Sequence, residues 1–409
     1  MRNIRLILVL AVVYIDMLGV GLSYPILPKL VQHFEHGNVS SASYVVGFIA
    51  SAFSLMQFFA APLFGALSDR FGRRPILLLS LAGSAVSYFV MAAAPGLTVL
   101  IAGRLFAGAM AGSSSTAGAY VADITPPEKR SQSFGLIGAM FGFGFITGPV
   151  IGGLLGEIDL HLPFFAAGVL CVVNLVFSWF ALPESLAPEN RRPFRLRQAN
   201  PIGALREIGR YPSVYVLLAI FVMGVFGNRV SEMTWVLYTS YRFHWTSFDA
   251  GLSLAVVGVI FVIGQGWFVR VLIGWIGERR AILLGLLMSA LVCIGYGSVT
   301  KGWMMYIVMP FAVCAWTVAQ PAVQGAMSRQ VGANEQGLLQ GASASITALS
   351  SIFGPIIWTS LFGYFVSPTA PVIIPGAAFY VSAAVFFAAL VLTWRWEHGH
   401  PQPEAAAPS

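Results

Sequence analysis

Four charged side chains interrupt long apolar stretches of this sequence, and they are its strongest candidates for chemistry. They are Asp16, Arg104, Arg229 and Glu232. A charge near the centre of a bilayer costs at least about 2.5–3.5 kcal/mol, so such residues are usually paired and often functional. A carboxylate there can exchange a proton or attract a cation, and a guanidinium can hold an anion or that carboxylate.

The positions of these residues predict two pairs. At 1.5 Å per residue, Asp16 and Arg104 lie about 18 Å and about 25 Å from the same side of the apolar layer. We expect them to meet near mid-depth, with Asp16 as a substrate- or proton-coupling carboxylate and Arg104 as its partner; a purely structural pair is the alternative. Arg229 and Glu232 are three residues apart and share a helix face. Glu232 is either a second coupling carboxylate, tuned by Arg229, or half of a salt bridge near the outer interface.

Glutamines add uncharged polarity to the same stretches, and each is a candidate either for lining a cavity or for a hydrogen bond between helices. They are Gln57, Gln265, Gln320 and Gln324. The six histidines lie outside the apolar stretches, so no histidine relay inside the membrane is expected. The three cysteines match no metal-ligand spacing, and no phosphate-binding loop or nucleophilic-serine motif occurs. The sequence therefore predicts no enzyme, no metal and no cofactor.

Composition identifies the elements that must position these residues. Of 409 residues, 57% are hydrophobic and 10% charged, and the mean hydropathy is +0.79. Soluble domains carry about 25% charged residues, so a soluble enzyme, a disordered chain and a secreted disulfide scaffold are excluded. Windows of about 20 apolar residues predict twelve membrane spans. These are 4–28, 43–64, 75–94, 97–121, 131–156, 162–183, 213–240, 248–274, 280–299, 302–328, 336–366 and 371–395.

A single long polar stretch, 184–212, divides the spans into two bundles, 1–183 and 213–396, with a tail at 397–409. With the N-terminus inside, 18 of the 23 Lys and Arg residues lie on the cytoplasmic side or at the cytoplasmic end of a span, three lie outside and two lie deeper within spans. This asymmetry predicts that both termini are cytoplasmic. The net charge of +7 is then a signal of topology and does not predict a nucleic-acid partner.

Glycine and proline signals recur at a nearly constant offset, which indicates an internal duplication. Gly72-Arg73-Arg74 is echoed 205 residues later by Gly277-Glu278-Arg279, and Gly148-Pro149 is echoed 206 residues later by Gly354-Pro355. Each pair falls in corresponding positions of the two bundles. Parallel six-helix repeats around a central cavity are an architecture of secondary transporters.

The loop after the second span reads GALSDRFGRRP from Gly65 to Pro75. Gly65 and Gly72 permit a close approach and a tight turn, and Asp69 can contact a helix N-terminus or a cation. Its arginines can anchor at an anionic membrane surface; they are Arg70, Arg73 and Arg74. The string resembles the signature loop of the major facilitator superfamily, and that resemblance implies a role in the cytoplasmic gate.

The fifth span carries a second motif, and its residues are Gly144, Gly148, Pro149, Gly152 and Gly153. The glycines leave a groove for a neighbouring helix, and the proline bends the span. The motif resembles the G-x-x-x-G-P-x-x-G-G pattern that the superfamily associates with proton-coupled antiporters. A packing motif with no bearing on transport direction is the alternative.

Further stretches, including 16–28, 122–125 and 251–258, resemble the tetracycline/proton antiporters, a branch of the twelve-span drug/proton antiporters. The resemblance runs from about residue 10 to residue 365. Three positions depart from that family, because Ser87, Phe261 and Ser289 stand where it carries an aspartate, a histidine and an aspartate. In the family those residues serve proton movement and recognition of a metal–tetracycline chelate. The sequence therefore does not predict tetracycline itself as the substrate.

We accordingly expect an all-α membrane protein with twelve transmembrane helices in two pseudo-symmetric six-helix bundles. The expected function is proton-coupled efflux of a hydrophobic or amphipathic small molecule across a bacterial cytoplasmic membrane. The expected partners are this substrate, protons and membrane lipid, and the expected state is a monomer. One alternative is proton-coupled uptake of an organic anion, for which Arg104 and Arg229 supply positive charge. The other is a non-transporting receptor that shares the fold.

Overall fold

The computed structural model describes residues 2–191, 212–264, 269–332 and 335–399, and within these ranges the chain forms helices and no strand. The N-terminal half contains α1 (Arg2–Ser23), α2 (Leu27–Phe34), α3 (Val39–Phe71), α4 (Arg73–Ala92), α5 (Leu97–Ala109), α6 (Ser113–Ile124), α7 (Arg130–Ile158) and α8 (Leu162–Ala181). The C-terminal half contains α9 (Pro212–Phe243), α10 (Ser247–Ile263), α11 (Val269–Ser298), α12 (Gly302–Arg329), α13 (Gln336–Val366) and α14 (Ala377–Gly399).

Eleven helical segments in these ranges are long and apolar enough to cross a membrane, and α10 is a shorter apolar helix. This confirms the predicted all-α membrane fold. Most of the predicted linker, 192–211, and the end of the tail, 400–409, lie outside the described residues, as does Gln265.

Two spans are less regular than the sequence pattern predicts. The fourth span is not one helix, because α5 ends at Ala109 and α6 begins at Ser113. The Ser80 hydroxyl stabilises the intervening turn by donating to the Met110 carbonyl at 2.5 Å and accepting from the Gly112 N–H at 3.2 Å. The eighth and ninth spans are joined by a kink inside α11 at Gly277, where φ is 77° and a side chain is disfavoured. Apolar windows do not register a three-residue turn or a one-residue kink.

Two helix pairs make the largest contacts between the halves in the described chain. α7 packs against α10, and α3 packs against α13. The predicted duplication relates α7 to α13 and α3 to α10, so the two contacts are equivalents of each other. Glycines allow the close approach: a Cβ added to Gly251 would lie 2.1 Å from the Pro149 carbonyl oxygen, and one added to Gly47 would lie 2.0 Å from Thr359 Oγ1.

The motif of the fifth span forms the face of α7 that receives α1. A Cβ added to Gly148 would lie 2.7 Å from the Gly21 Cα, and one added to Gly152 would lie 2.2 Å from the Leu22 carbonyl oxygen. Gly144 meets Met17 in the same way. Because the obstructing atoms at Gly148 and Gly152 are backbone atoms, these sites have no flexible side chain that can move aside.

Replacing Gly152 by alanine is therefore expected to destabilise the N-terminal half by about 1–3 kcal/mol, the usual cost of overpacking. Gly138→Ala on the same helix is the matched control, because nothing lies within 4 Å of a methyl group added there. Thermal unfolding of both variants in detergent micelles measures the difference. Equal midpoints for the two variants would contradict the backbone contact.

Candidate functional site

Asp16 is buried in α1, with 8% of its surface exposed. Its carboxylate accepts a hydrogen bond of 2.7 Å from the hydroxyl of Ser113, the first residue of α6. None of the salt bridges formed by the described residues involves Asp16. The break in the fourth span thus gives Asp16 its polar neighbour, because the turn brings the start of α6 against α1.

The expected contact between Asp16 and Arg104 is wrong. Arg104 lies on α5, nine residues before Ser113, which corresponds to about 13 Å along a helix. Its guanidinium carbon lies 4.8 Å from the ring centroid of Phe53. Counting residues along the spans placed both side chains near mid-depth, but Asp16 bonds to Ser113, and Arg104 lies over Phe53, instead of forming an ion pair with each other.

Arg104 carries a charge that no carboxylate of the described chain compensates. Its Nε is buried and has no hydrogen-bond partner among the described residues. The contact with Phe53 stabilises a cation by about 0.5–2 kcal/mol. A charge at the bilayer centre costs at least about 2.5–3.5 kcal/mol. The aromatic contact therefore offsets only part of the cost of placing the guanidinium here.

Arg229 and Glu232 do contact each other, as their spacing on α9 predicts, in a salt bridge between Arg229 Nη1 and Glu232 Oε2. Arg229 also donates to the Ser351 hydroxyl on α13 at 2.7 Å. Its Cβ and Cγ lie 3.3 Å from the position that a Cβ on Gly354 would take. The Arg229 side chain is 21% exposed and that of Glu232 is 40% exposed, so the carboxylate is the more accessible member.

Hydrogen bonds close the seam between the two halves at one end of the bundle. The Tyr24 hydroxyl donates to the Glu232 carbonyl oxygen at 2.7 Å, and Lys29 Nζ donates to the Trp245 carbonyl oxygen at 2.8 Å. The same end contains the bonds from Ser40 Oγ to the Gly363 carbonyl oxygen and from the Phe248 N–H to Glu157 Oε1. We call this the seam end.

A cavity of about 730 Å³ lies at the seam end and takes its lining from both halves. Its lining includes Lys29, His33, His36, His244 and Trp245. His36 and His244 both adopt left-handed backbone conformations, with φ of 53° and 55°. His36 and His244 lie in loops, as predicted, but His33 lies in the last turn of α2, and the three gather at one surface.

The opposite end carries the α3–α4 loop, and we call it the loop end. The four hydrogen bonds just named all join the halves at the seam end. Glycines at the loop end face open space, with nothing within 4 Å of an added Cβ; they are Gly65, Gly135, Gly138, Gly277 and Gly337. These glycines leave room for a side chain at the loop end, whereas hydrogen bonds between the halves close the seam end.

The structure does not gather the predicted glutamines into one cluster. Gln57 is exposed on α3, and Gln320 and Gln324 are half-buried on α12. Gln320 lines a small cavity of about 20 Å³ inside the C-terminal half, together with Ser289 and Trp316. None of the three makes a side-chain hydrogen bond within the described part of the chain.

At the loop end, Arg73 is the centre of a polar cluster in the N-terminal half. It contacts Asp69 at 2.5 Å and Asp123 at 3.1 Å, and it donates to the Ser68 hydroxyl at 2.7 Å. Its side chain is only 11% exposed. Arg70 and Arg74 take no part in these ion pairs, because Arg70 lies over the ring of Phe71 and Arg74 over that of Trp179.

Glu184 caps the N-terminus of α4, a role that the sequence patterns do not reveal. Its two carboxylate oxygens accept the Arg73 N–H at 2.9 Å and the Arg74 N–H at 3.2 Å. A carboxylate is favourable at a helix N-terminus. Gly72 has φ of 105°, and a Cβ there would lie 2.4 Å from a Glu184 oxygen. The turn therefore requires glycine both for its backbone and for this contact.

The C-terminal half repeats the Arg73–Asp123 ion pair with its charges exchanged. Glu278 contacts Arg329 through both carboxylate oxygens, with Arg329 Nη1 to Glu278 Oε1 at 2.7 Å. Glu278 follows Arg73 by 205 residues, and Arg329 follows Asp123 by 206. The repeat offset was the signal that could have identified Asp123 and Arg329 as partners of the glycine-rich turns.

Comparison with known proteins gives a consistent result over nearly the whole chain. A profile described as Major Facilitator Superfamily matches residues 9–355. Tetracycline resistance protein, class C, of Escherichia coli is 40% identical over 388 residues, which is 95% of this chain and 96% of that protein. Multidrug resistance protein 2 of Bacillus subtilis (strain 168) is 28% identical over 87% of this chain and 88% of that protein.

Among solved structures, the human organic anion transporter MFSD10 (TETRAN) superposes with a TM-score of 0.68 at 26% identity. The match covers 96% of this chain and 99% of that one.

The two ion pairs at the loop end are expected to differ in strength. Arg73→Gln strands two carboxylates beside a nearly buried site, so we expect a loss of about 3–5 kcal/mol in unfolding free energy. Arg329→Gln breaks a pair whose arginine side chain is 55% exposed, so a loss of about 0–1 kcal/mol is expected. Chemical unfolding of both variants in the same detergent compares them, and equal losses would contradict the difference in burial.

Tyr24→Phe removes one hydrogen bond across the seam end and leaves the ring in place. A net hydrogen bond is worth about 0.5–1.5 kcal/mol, so hydrogen exchange at 240–250 should become about 2–10 times faster. Tyr44→Phe is the control, since Tyr44 is 43% exposed and its hydroxyl has no partner among the described residues. Unchanged exchange in Tyr24→Phe would show that this bond does not hold the seam.

Proposed function

The chain belongs to the Major Facilitator Superfamily, and we propose that it exports a hydrophobic or amphipathic small molecule across a bacterial cytoplasmic membrane in exchange for protons. It is a multi-pass membrane transporter and not an enzyme. The relatives named for tetracycline resistance and multidrug resistance support export of drug-like compounds. The proton coupling and the substrate are the parts that the proposal adds.

The observation that carries the proposal is the environment of Asp16. A carboxylate that is 8% exposed in a membrane span, with one hydroxyl donor and no cation beside it, is costly to keep charged. Uptake of a proton removes that cost, and a bound cationic group compensates it. Proton and substrate can therefore compete for the same carboxylate, which is the requirement for exchange.

Closure of the seam end supports loading of the substrate from the cytoplasm. The Lys and Arg asymmetry predicts that the α3–α4 loop faces the cytoplasm, and the hydrogen bonds between the halves lie at the opposite end. In this orientation the seam end faces outwards and is closed. Rocking of the two halves around a site near mid-depth is the alternating access expected of this architecture.

Glu232 is proposed as a second coupling carboxylate because it belongs both to the ion pair with Arg229 and to the hydrogen bonds at the seam end. Its side chain pairs with Arg229, and its carbonyl oxygen accepts the Tyr24 hydroxyl from the other half. Protonation of this carboxylate would release Arg229 from the pair, next to the α13 glycine on which Arg229 packs. The alternative is a salt bridge that only stabilises α9.

The environments of Ser87 and Ser289 support a substrate other than tetracycline. Ser87 Oγ donates to the Ser84 carbonyl oxygen and Ser289 Oγ to the Gly285 carbonyl oxygen, both at 2.8 Å. Hydroxyls that are bonded to their own helices do not replace missing carboxylates. Phe261, which stands at the third position, is apolar and 37% exposed.

Proton-coupled organic-anion transport is the second candidate, and the 26% identity with a structure described as an organic anion transporter favours it. Counterflow in proteoliposomes under a reversed pH gradient separates the two candidates, since exchange and symport respond with opposite signs. A chain that moves no compound and retains a stable protein partner would instead be a receptor.

We expect Asp16→Asn to abolish pH-dependent export, because the amide cannot exchange a proton. A drug-susceptibility panel that includes tetracycline, in a host lacking its own pumps, identifies exported compounds for the wild type. Proton release on substrate addition is then followed in inverted membrane vesicles. Asp159→Asn is the control: this aspartate lies in the α7–α8 turn with a 61% exposed side chain, and it should leave export unchanged.

Wild-type pH dependence in Asp16→Asn would overturn the coupling role of Asp16. In the same assays, normal export by Glu232→Gln would leave Glu232 only its structural role. Strong resistance to tetracycline would show that Ser87, Phe261 and Ser289 do not decide the substrate.

A further inference from the structure

Among the four charged residues within the spans, one acid and one base do not pair with any other ionised group of the described chain. Arg229 and Glu232 compensate each other. Asp16 accepts only the neutral hydroxyl of Ser113, and Arg104 lies over Phe53 with a buried and unpartnered Nε. Two opposite charges therefore remain in the same half without a counter-charge.

These two charges do not form an ion pair with each other within the described chain. Asp16 bonds to Ser113 at the start of α6, whereas Arg104 lies nine residues earlier on α5, before the turn that separates the two helices. Next to Arg104, Gly103 packs against α4, and a Cβ there would lie 2.7 Å from Met91 Cγ. The buried phenol of Tyr88 lies within electrostatic range of both charges.

The chemistry of the two groups differs, and each has unused capacity. A guanidinium presents five donors in a planar fork that matches a carboxylate or a similar pair of acidic oxygens. Arg104 donates no hydrogen bond to another residue of the described ranges, and its Nε is buried without a partner there. The Asp16 carboxylate has acceptor positions beyond the one that Ser113 occupies.

Exchange with protons restricts which ligand can use both groups. An anion on Arg104 alone would favour protonation of Asp16, so anion and proton would bind together, as in symport. A cation on Asp16 alone would compete with the proton but leave Arg104 uncompensated. A ligand with both charges competes with the proton through its cationic group and neutralises Arg104 through its acidic group.

We propose that the transported compound is a zwitterionic amphiphile whose acidic group binds Arg104 and whose cationic group binds Asp16. This rests on the proposed proton exchange and names the substrate class of the same site. Arg104 then acts in substrate recognition, while Asp16 is shared between substrate and proton.

The test uses three fluorescent probes with the same xanthene framework and different charges. Rhodamine 110 is a zwitterion, rhodamine 123 is its methyl ester and a cation, and fluorescein is an anion. Binding to the purified full-length transporter is measured by fluorescence polarisation at constant pH and ionic strength. Wild type should bind rhodamine 110 about 10-fold or more tightly than either of the other two.

Two variants should produce opposite patterns. Arg104→Gln should weaken rhodamine 110 and fluorescein about 10-fold and leave rhodamine 123 unchanged. Asp16→Asn should weaken rhodamine 110 and rhodamine 123 and leave fluorescein unchanged. Arg104→Lys, which keeps the charge but loses the planar fork, should recover part of the loss. The unaffected probe in each case shows that the variant is folded.

Several results would overturn the proposal. Wild-type binding of rhodamine 110 no tighter than its ester, including no measurable binding, would remove the role of the acidic group. Preference for fluorescein would indicate an anion site and favour symport. Equal weakening of all three probes by Arg104→Gln would make Arg104 structural. The proposed exchange fails separately, if Asp16→Asn retains pH-dependent export.

Discussion

Backbone contact between helices at the seam is the constraint on which the other features depend. α7 meets α1 on one face and α10 on the other, and in both contacts the obstructing atoms are main-chain atoms of the neighbouring helix. Membrane helices lack a strong hydrophobic driving force between them, so small residues and close packing supply the association. The Asp16 helix is therefore seated directly on a helix that also contacts the other half. A rearrangement of the two halves must therefore change the packing of α7 against α10, next to the contact between α7 and α1.

The helices that meet at the seam are packed differently within the two halves. Gly148 faces Gly21 across the α1–α7 contact, whereas Gly354 faces the aliphatic part of Arg229 across the equivalent α9–α13 contact. The N-terminal version is packing alone. The C-terminal version includes a guanidinium that also bonds Glu232 and Ser351. Conformational change at that contact is consequently linked to a charged group, and the charge on Glu232 can influence it.

The all-α membrane fold could be read from the sequence because hydrophobic length is a local signal. Contact between Arg229 and Glu232 followed from three-residue spacing on one helix. The predicted contact between Asp16 and Arg104 was wrong because it depends on where the fourth span turns. Ser80, thirty residues before Met110, stabilises that turn, and no local pattern shows this. The cap formed by Glu184 was hidden for a similar reason, since it reaches α4 from more than a hundred residues along the chain.

The exchanged charges of the two loop-end ion pairs bear on the history of the chain. A duplication begins with two identical halves, so both once carried the same polarity at these positions. Reversing one pair takes two substitutions, and either one alone places like charges together. The copy with the more solvent-exposed arginine is the one that tolerates such an intermediate, because water screens the repulsion. A chimaera that joins two N-terminal halves would therefore be unlike this protein at its loop end, with arginines at both turns and no acidic counterpart to Glu278.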